Sequence, residues 1–495
     1  MHIVTPARMR EIEGYAIGQL GIDGLILMER AALSLAQEIR AASPRAVLAI
    51  CGSGNNGGDA YACARILHLW GIRVDILPLR PVEKLSGDAL KNAWICQRLR
   101  ISFLENLPDG ANYDVVIDGI FGTGLSRAPE GEFAAAIDWI NRSGAKVYSV
   151  DIPSGVDGAT GQVQGCAVRA DVTVTFQWAK YGHFLYPGAE LCGRLVTAEI
   201  GIPDPKNWED AEILDEALLA SLLPERPRDA HKNTFGHALL IAGNRGMAGA
   251  AMLCTNACQR AGVGLTTVCA LENSVAPHLQ TRLPAAMCVG LEEDAKHTFP
   301  PETGRVIRSA LSGKTALGCG CGLGRTLDCA RPLEAALAAP LPAVIDADGL
   351  YHLATRLDLL DARECETVLT PHPGEMARLL GRPVEYPVKD AQTFAAAHRC
   401  VVLLKGACTV IAAPDGRLTF NVIGTSGMAT AGSGDALTGI ITALLAQGLS
   451  AYDAARAGAY LHARAGLRAE KKFGAASMTA WDISECVRLE GCGID

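Results

Sequence analysis

The feature of this sequence that most limits its fold is the alternation of short β-rich runs with helical patterns. Between residues 45 and 200 the pattern predicts strands and helices in turn, with strands at 46–51, 73–77, 114–122 and 146–153 and helices near 58–70, 85–99 and 131–142. A strand-loop-helix rhythm of this kind is typical of a mostly parallel sheet that has helices on both faces. Ahead of it, Thr5 and Pro6 form the cap-then-proline pattern of a helix start. We therefore predict an α/β fold for this region.

A second series of alternating strands and helices follows a segment of different amino-acid composition. Residues 203–235 are rich in proline and charge, as expected for a connection between domains. Beyond it, strands are predicted at 237–243, 265–270, 315–318, 343–346, 367–370 and 400–404, and helices at 247–261, 435–447 and 451–469. No repeat of 20–50 residues links the two series. We therefore predict two unrelated α/β domains, at residues 1–210 and 225–492.

Composition narrows the classes of partner. The 45 basic and 53 acidic residues give a net charge of −8, and aromatic residues make up only 5% of the chain. Neither a basic block nor aromatic stacking platforms are available, so we expect no nucleic-acid and no membrane partner. The 53 glycines instead suit tight turns and backbone-lined sites for small molecules.

The 17 cysteines are odd in number and scattered. Cys254 and Cys258 share a predicted helix face, and Cys319 and Cys321 stand one residue apart, so a zinc or iron–sulfur site is one interpretation. Buried reduced thiols are the favoured one, because no paired CxxC set is present. The N-terminal residues 1–14 carry charges where a signal peptide has its apolar core. We expect a soluble cytoplasmic protein, and no apolar run reaches the ~18 residues of a membrane-spanning helix.

Residues 52–58, GSGNNGG, match the glycine pattern G-x-G-x-x-G between a predicted strand and helix, with Asp75 further on. That is the dinucleotide-binding fingerprint, and a nicotinamide-dependent dehydrogenase is one hypothesis. The variable positions, however, are Asn55 and Asn56, and the helix is expected to open with Gly57-Gly58-Asp59. Amides and a carboxylate there can coordinate a cation or hold sugar hydroxyls. A plain glycine turn is the alternative without function.

Two further predicted strand ends carry polar groups. Asp118 begins DGIFGTGLSR, whose backbone amides over Gly122–Arg127 can hold phosphate, and Asp151 begins DIPSGVDG. Ligands of open α/β sheets lie beyond the carboxyl ends of the strands, so these loops should converge on one crevice. Asp118 alone would more often be a helix cap, but three such loops favour a functional site.

The segments GNNGGD (54–59), DGIFGTGLSR and DIPSGVDG together resemble the motifs of the NAD(P)H-hydrate epimerase family across residues 1–205. The resemblance implies a Rossmann-like αβα sandwich with Asn56, Asp118 and Ser154 as ligands of potassium and Asp151 as the catalytic acid/base. It also implies contacts to the hydrated nucleotide from Asn55, Asn56, Gly57, Gly58, Asp59, Gly122, Thr123, Gly124, Leu125, Ser126, Arg127, Ala128 and Asp151. Ala60 stands where the family usually has glycine, and a methyl group should be tolerated inside a helix.

The strongest signal is TSGMATAGSGDALTGI at residues 425–440. Small residues lead to Gly432-Ser433-Gly434-Asp435, and a helix is expected to follow at once. Backbone N–H groups at such a start form an anion hole for a phosphoryl group, and an adjacent Asp can accept the proton of an attacking hydroxyl. A plain helix-start carboxylate would explain Asp435 alone, but not the whole run of small residues.

Other segments of this region agree. Lys405–Thr409, KGACT, follows a VVLL strand and can hold nucleotide phosphates. TPHPGE (370–375) presents His372, which two prolines fix in a turn. The glycines of GCGCGLG (318–324) and the small residues of AGNRGMAGAAML (242–253) allow a ligand to approach the backbone closely.

Together these segments resemble the ribokinase-like fold and, more narrowly, the ADP/ATP-dependent NAD(P)H-hydrate dehydratase family over residues 225–490. The resemblance implies that Asp435 is catalytic and that a second αβα sandwich binds two ligands. The adenine nucleotide would contact Lys405, Gly406, Ala407, Cys408, Thr409 and Gly434, and the hydrated cofactor would contact Ala250, Gly324, His372 and Asp435. Cys321 and Cys408 replace the usual proline and glycine, and we expect altered nucleotide affinity without loss of binding.

Both resemblances imply repair of damaged nicotinamide nucleotides, with NADHX and NADPHX as substrates. The N-terminal domain would epimerise R and S hydrates with K⁺, and the C-terminal domain would dehydrate the S hydrate with Mg²⁺ and ADP (or ATP). ADP is favoured because the fused form resembles prokaryotic enzymes. We also expect a homo-oligomer. The alternatives are a C-terminal vitamin or sugar kinase with an N-terminal nucleotide-binding module, an N-terminal dehydrogenase, and an N-terminal module that only senses the nucleotide.

Overall fold

The computed structural model describes residues 1–109, 113–125, 127–203, 210–293 and 298–489. The chain divides into two compact units, with the division between Ala211 and Glu212, and Met1 belongs to the second unit. Each unit is an α/β structure with its own sheet, in which most strands are parallel.

The N-terminal unit is built on a seven-stranded sheet. The strands of the whole unit are β1 His2–Val4, β2 Ala46–Cys51, β3 Arg73–Pro78, β4 Ser102–Phe103, β5 Val115–Gly119, β6 Lys146–Val150, β7 Val172–Phe176, β8 Ala179–Lys180 and β9 Arg194–Ala198. The sheet order is β4-β3-β2-β5-β6-β7-β9, all neighbours are parallel, and β1 pairs with β8 outside this sheet. The predicted parallel α/β sheet is confirmed.

Helices cover both faces of this sheet. They are α1 Pro6–Gly18, α2 Gly24–Ala41, α3 Asn55–Leu69, α4 Gly87–Arg98, α5 Glu132–Arg142 and α6 Gly188–Leu191. Alternate residues of β2 belong to different hydrophobic clusters: Val47 and Ala49 pack with α2 and α3, whereas Leu48 and Ile50 pack with α5. Because successive side chains of a strand point to opposite faces, the unit is a three-layer αβα sandwich.

The starts of two helices in the N-terminal unit were predicted from the sequence. Thr5 caps α1 as predicted, because its side chain accepts a hydrogen bond from the amide of Arg8. The helix expected near residue 58 begins earlier, at Asn55, with Gly54 as its cap. The expectation that the helix opens with Gly57-Gly58-Asp59 was therefore wrong, and Asn55 and Asn56 lie within its first turn rather than in the preceding loop.

The C-terminal unit is built on a longer sheet. Its strands are β10 Ala211–Ile213, β11 His237–Ile241, β12 Leu265–Leu271, β13 Met287–Leu291, β14 Ala316–Cys319, β15 Ala343–Ile345, β16 Thr367–Leu369, β17 Val401–Leu404, β18 Thr409–Ala412 and β19 Leu418–Asn421. They are arranged as β13-β12-β11-β14-β15-β16-β17-β18-β19-β10. The pairing is parallel except that β18 runs antiparallel to β17 and to β19. That antiparallel hairpin was not predicted.

The helices of this unit are α7 Glu216–Leu222, α8 Ala248–Arg260, α9 Ala276–Arg282, α10 Thr303–Ala310, α11 Ala330–Leu337, α12 Asp348–Leu353, α13 Leu357–Asp361, α14 Pro373–Leu380, α15 Pro387–His398, α16 Ser433–Ala446, α17 Ala451–Phe473 and α18 Ala480–Glu485. Helix α16 packs against α8 and α17 and is buried along most of its length. Its small residues permit this packing: a Cβ on Gly439 would lie 2.1 Å from the carbonyl oxygen of Cys254.

Two findings concern the described residues of both units. Within the described ranges, no helix is long and apolar enough to cross a membrane. Every cysteine in those ranges is a free thiol, and most are buried, including Cys63, Cys254, Cys269 and Cys400. Burial raises the pKa of Cys400 to about 12, so that this thiol stays neutral.

Candidate active sites

The first turn of α3 meets the loop after β5 in the N-terminal unit. Asn56 is buried, and a Cβ on Gly122 would lie 2.9 Å from its Oδ1 atom, so these two predicted site residues are in contact. The Nδ2 atom of Asn56 has no hydrogen-bond partner among the described residues. Such an amide in a buried position calls for a ligand or a water.

The neighbouring glycines bring the backbone into close contact. A Cβ on Gly57 would lie 2.1 Å from the carbonyl oxygen of Gly52, and one on Gly58 would lie 2.6 Å from Cε of Met28. Ala60 follows in the same helix and is fully buried, and Gly119 of β5 leaves room for its methyl group, as expected. These glycines are therefore needed for packing as well as for any ligand.

Asp118 at the end of β5 is fully buried and bound by serine groups. Its carboxylate accepts hydrogen bonds from Ser149 Oγ at 2.7 Å, from the Ser154 amide at 2.9 Å and from Ser154 Oγ at 2.5 Å. Burial raises the pKa of Asp118, although these hydrogen bonds oppose the rise. The predicted pair Asp118 and Ser154 is thus in direct contact, and Ser154 Oγ also receives the Phe121 amide at 2.8 Å.

Asp151 begins the loop after β6 and adopts a left-handed backbone conformation, with φ +63°. Its Oδ1 atom accepts hydrogen bonds from Thr175 Oγ1 at 2.8 Å and from Lys180 Nζ at 2.6 Å. Burial acts to raise the pKa of Asp151, but the Lys180 ammonium outweighs it and the pKa lies below its usual value. Asp151 is therefore a charged carboxylate at neutral pH.

Lys180 and His183 were not predicted as site residues from the sequence. The Lys180 amide donates to His183 Nδ1 at 2.9 Å, so Nε2 carries the ring proton and donates to the Asp151 carbonyl oxygen at 2.8 Å. Burial, and then the charge of Lys180, lower the pKa of His183 to about 4, so this ring is neutral. The strand-end motif AKYGH contains both residues, but nothing in their spacing indicated a partner as distant as Asp151.

Two more carboxylates lie near Asp151. Burial, followed by the charges of Asp151 and Glu13, raises the pKa of Asp59 well above its usual value. Burial also raises the pKa of Glu13, although Lys180 opposes it. Carboxyl groups whose environments push their pKa values apart are the usual arrangement for acid and base roles. The predicted site thus holds a charged Asp151 beside Asp59, whose pKa is raised.

The loop that follows β5 borders a cavity of about 540 Å³. The predicted substrate residues Gly124, Leu125, Arg127 and Ala128 line it, together with Ser53, Arg80 and Phe121. That volume lies within the ~300–1,000 Å³ of typical ligand pockets. Ser126 lies outside the described residues. Thr123, at the start of this loop, approaches the loop after β6: a Cβ on Gly158 would lie 3.2 Å from its Cγ2.

Asp75, the residue that a dehydrogenase would use to bind ribose, has its own protein partners. Its carboxylate accepts hydrogen bonds from Tyr113 Oη at 2.9 Å and from Arg73 at 3.0 Å, and it is buried. The dinucleotide-binding role that the glycine pattern suggested would require these contacts to break.

In the C-terminal unit, helix α16 begins directly after Gly432, which has a left-handed backbone conformation. Asp435 lies in the first turn of this helix. This helix begins at Ser433, two residues before the predicted start, so the predicted start was wrong and Asp435 lies inside the turn. Burial, and then the negative charge of Asp346, raise the pKa of Asp435 to about 7. A carboxylate with such a pKa can accept and release a proton near neutral pH.

Asp346, at the end of β15, is the residue that sequence reasoning missed in this site. It accepts hydrogen bonds from Lys405 Nζ at 2.9 Å and from Thr438 Oγ1 at 2.7 Å. A Cβ on Gly434 would lie 3.2 Å from Lys405 Nζ and 3.5 Å from Asp346 Oδ2. The predicted residues Gly434, Lys405 and Asp435 therefore surround Asp346, whose position at a strand end was the one available signal.

The glycine loop after β14 approaches α8 and the loop after β11. A Cβ on Gly322 would lie 2.8 Å from Cβ of Ala250, and one on Gly324 would lie 2.7 Å from Nδ2 of Asn244. Asp348 fixes this loop by accepting the Gly324 amide at 2.8 Å. Ala250 and Gly324, both predicted to contact the hydrated cofactor, thus line the same turn.

His372 caps helix α14. Its Nδ1 accepts hydrogen bonds from the amides of Gly374 at 3.0 Å and Glu375 at 3.4 Å, and its own amide donates to Glu375 Oε2 at 2.9 Å. These bonds fix the ring, which is exposed and whose Nε2 lies 3.4 Å from Glu375 Oε1. The neighbouring Pro371 carbonyl accepts the Lys405 amide at 2.8 Å, which joins this loop to the predicted nucleotide loop.

The predicted nucleotide loop joins β17 to β18. Gly406 and Ala407 are exposed, and Thr409 Oγ1 donates to the Gly406 carbonyl at 3.3 Å. Burial raises the pKa of the Cys408 thiol to about 12. Cys321, the other departure from the family pattern, is buried, and its pKa is raised by a hydrogen bond with Cys254 and by burial.

Two αβα units, each with an aspartate beside a glycine-rich turn beyond its strand ends, define a two-domain α/β enzyme of small-molecule substrates. Residues 24–182 match the family model of the YjeF-related protein N-terminus, and residues 238–488 match the model of NAD(P)H-hydrate dehydratase. A ribokinase-like superfamily protein from Enterococcus faecalis is 27% identical with a TM-score of 0.50, over 58% of this chain and 96% of that one. The ribokinase-like expectation is confirmed.

Whole-chain relatives define the family more narrowly. The bifunctional NAD(P)H-hydrate repair enzyme of Thermofilum pendens is 38% identical over 97% of this chain and 94% of its own length. The enzyme of the same description from Escherichia coli is 35% identical over 96% and 91%. The chain belongs to the bifunctional NAD(P)H-hydrate repair enzyme family, as the sequence resemblance implied.

Proposed function

We propose that the N-terminal unit interconverts the R and S hydrates of NADH and NADPH, and that the C-terminal unit dehydrates the S hydrate to NAD(P)H. ADP is the proposed phosphoryl donor, with ATP as the alternative. The observation that carries the proposal is Asp435, a half-buried carboxylate with a pKa of about 7 at a glycine-rich helix start, in a chain of this family.

In the proposed dehydration, the hydroxyl oxygen of the hydrate attacks the terminal phosphorus of the nucleotide while Asp435 accepts the hydroxyl proton. The phosphoanhydride bond breaks, and AMP leaves from ADP, or ADP from ATP. The phosphorylated carbon then loses phosphate, and a proton leaves the adjacent carbon, which restores the ring double bond. Because the pKa of Asp435 is close to 7, it is about half deprotonated at neutral pH and can act as this base.

The nucleotide is proposed to bind at Lys405, Gly406, Ala407, Cys408, Thr409 and Gly434, and the S hydrate at Ala250, Gly324, His372 and Asp435. Asp346 supplies a carboxylate of the kind that Mg²⁺ prefers, and its proximity to Asp435 is expressed in the raised pKa of Asp435. Bound there with the nucleotide, Mg²⁺ would neutralise phosphate charge.

In the proposed epimerisation, Asp151 accepts the proton of the hydroxyl on the reacting carbon and later returns it. The hydrate is proposed to contact Asn55, Asn56, Gly57, Gly58, Asp59, the loop Gly122–Ala128 and Asp151. The cavity of about 540 Å³ beside this loop, with Arg80 and Arg127 in its wall, is suited to a phosphorylated ligand.

Asn56, Asp118 and Ser154 are the proposed ligands of K⁺. They offer amide, carboxylate and hydroxyl oxygens, and Ser154 Oγ lies 2.5 Å from Asp118 Oδ1. Potassium bound there would stabilise the negative charge of Asp118, which is buried and has no cationic partner among the described residues. We also propose a cytoplasmic homo-oligomer that binds neither nucleic acid nor membrane.

The test is recovery of reduced-nicotinamide absorbance from separated R and S hydrates, with ADP, with ATP and without nucleotide. The S hydrate should recover with a nucleotide, and the R hydrate should recover faster than its spontaneous epimerisation allows. Phosphorylation of a free vitamin or sugar alcohol, without recovery by either donor, would instead establish a kinase. Reduction of another substrate by NAD(P)H without loss of water would establish a dehydrogenase in the N-terminal unit.

A further inference from the structure

The most unusual charged group outside the predicted sites is Lys180, whose residue is only 1% exposed. A buried ammonium is costly unless charged and polar partners surround it. Lys180 Nζ contacts Asp151 Oδ1 at 2.6 Å, Thr175 Oγ1 at 2.9 Å and the Phe176 carbonyl oxygen at 3.3 Å. All three hydrogen atoms of the ammonium therefore have an acceptor, and one of them is the proposed catalytic residue.

The two oxygens of Asp151 are treated differently. Oδ1 accepts two hydrogen bonds, from Thr175 and from Lys180. Oδ2 accepts none from any residue that the structure describes. A carboxylate held by one oxygen keeps a fixed plane and offers its second oxygen to a substrate.

Lys180 also stabilises the backbone of Asp151. Its amide holds the ring of His183, and that ring donates its Nε2 proton to the Asp151 carbonyl oxygen. Because Asp151 has a positive φ of 63°, an L-residue there needs such external support. The ammonium and the amide of one lysine thus secure both ends of the same aspartate.

We propose that Lys180 is the positioning residue of the epimerase site, holding Oδ1 of Asp151 so that Oδ2 alone exchanges protons with the hydrate. The proposal rests on the epimerase function proposed above. Oδ2 takes the hydroxyl proton as the C–O bond becomes a carbonyl and the C–N electron pair moves to the ring nitrogen. The same proton then passes to that nitrogen, and ring closure on the other face reverses each step. Lys180 keeps its protons throughout.

The pH dependence should report this role. The titratable and charged groups that face Asp151 are Glu13 from α1, Asp59 from α3, and Lys180 and His183. His183 is neutral, so Lys180 is the cation that opposes the two carboxyl groups and the effect of burial. Without its charge the pKa of Asp151 rises, and the acidic limb of the epimerase pH profile moves to higher pH.

The experiment compares Lys180→Met with Lys84→Met, an exposed lysine of the same unit, in the full-length chain. For Lys180→Met, we expect kcat for epimerisation of the R hydrate to fall roughly 10²-fold with KM within about threefold. The acidic limb should move up by about one pH unit or more. Dehydration of the S hydrate by the other unit serves as the internal control and should not change, and Lys84→Met should match the wild type.

Thr175→Val removes the second bond to Oδ1 with little change in shape, and it should lower kcat roughly tenfold with a smaller upward shift of the limb. If Lys180→Met does not fold, as circular dichroism would reveal, this variant decides the matter. An unchanged rate and profile in the folded variant would overturn the proposal. Absence of epimerisation in the wild-type chain would instead contradict the proposed epimerase function itself.

Discussion

The two proposed catalytic aspartates occupy opposite electrostatic settings. Asp151 touches the ammonium of Lys180 at 2.6 Å, and its pKa lies below the usual value. Asp435 lies near Asp346, whose own carboxylate pairs with Lys405 at 2.9 Å, and its pKa rises to about 7. Both aspartates are largely buried, so the position of the nearest lysine makes the difference.

This difference matches the two proposed reactions. Epimerisation returns the substrate to the same oxidation and hydration level, and a carboxylate that is charged before the reaction can take up one proton and return it. Phosphoryl transfer needs a group that accepts a proton from a hydroxyl beside a highly charged nucleotide. A carboxylate with a pKa near the working pH does this with the greatest driving force that is still compatible with deprotonation. The comparison therefore predicts separable variants and different pH profiles.

The largest effect is expected for Asp435→Asn. Removing the proton acceptor should lower the rate of S-hydrate dehydration roughly 10³-fold, within the usual range for general acid–base residues. Epimerisation of the R hydrate, measured in the same preparation, should remain. Asp415→Asn changes an exposed aspartate of the same unit and provides the control. A dehydration rate close to wild type in Asp435→Asn would remove Asp435 from the mechanism.

Asp151→Asn should have the converse effect. We expect epimerisation to fall roughly 10²-fold toward the spontaneous rate, since the amide cannot accept the hydroxyl proton. Dehydration of the S hydrate should be unaffected. The exposed Asp138, which pairs with Arg142 at the surface, gives the matched control Asp138→Asn. If R-hydrate conversion in Asp151→Asn equals that of the wild type, the N-terminal unit only binds the nucleotide.

Asp346→Asn tests the cause of the raised pKa of Asp435. The negative charge of Asp346 raises that pKa, so its removal should lower it, and the released Lys405 charge acts in the same direction. The acidic limb of the dehydration profile should therefore move down by roughly one pH unit. The position of the limb is compared, rather than the rate, because Asp346 is also a proposed Mg²⁺ ligand. A limb that stays in place would contradict this account of the site.

The smallest effect concerns the proposed cation site. Ser154→Ala removes a hydroxyl that bonds Asp118 at 2.5 Å, and we expect the K⁺ concentration for half-maximal epimerisation to rise roughly tenfold. The measurement is epimerase rate against K⁺, with choline chloride used to keep ionic strength constant. Dehydration in the same chain should not respond. An epimerase rate independent of K⁺ in the wild type would contradict the proposed ligands.

The sequence predicted the layers of both units well because strand and helix periodicities are local. The strand at 46–51 and the cap at Thr5 are present as predicted. The start of α3 was misplaced because two asparagines and two glycines have low helix propensity, and Gly54 supplies the cap without any side chain. The β18–β19 hairpin was missed because an antiparallel pair lies outside the alternation of strands and helices from which the sheet was predicted.

The site residues show the same difference between features that a local sequence pattern predicts and features that it does not. Motif residues such as Asp118, Asp151 and Asp435 could be predicted from their position at a strand end or at a helix start. Lys180 and Asp346 belong to no such motif, although Asp346 also follows a strand, and each acts through a partner that is distant in sequence. Lys180 bonds a residue 29 positions away, and Asp346 bonds one 59 positions away. Only tertiary structure reveals such pairs, and they are the groups that set the two pKa values.

The central claim is that one chain holds two aspartates tuned in opposite directions. It is tested most directly by pH profiles of kcat/KM for epimerisation and for dehydration, measured in parallel on the wild-type chain. Dehydration should be half-maximal near pH 7 and fall about tenfold for each pH unit below it, whereas epimerisation should show no loss down to about pH 5. Two profiles that fall together with the same midpoint would contradict the claim.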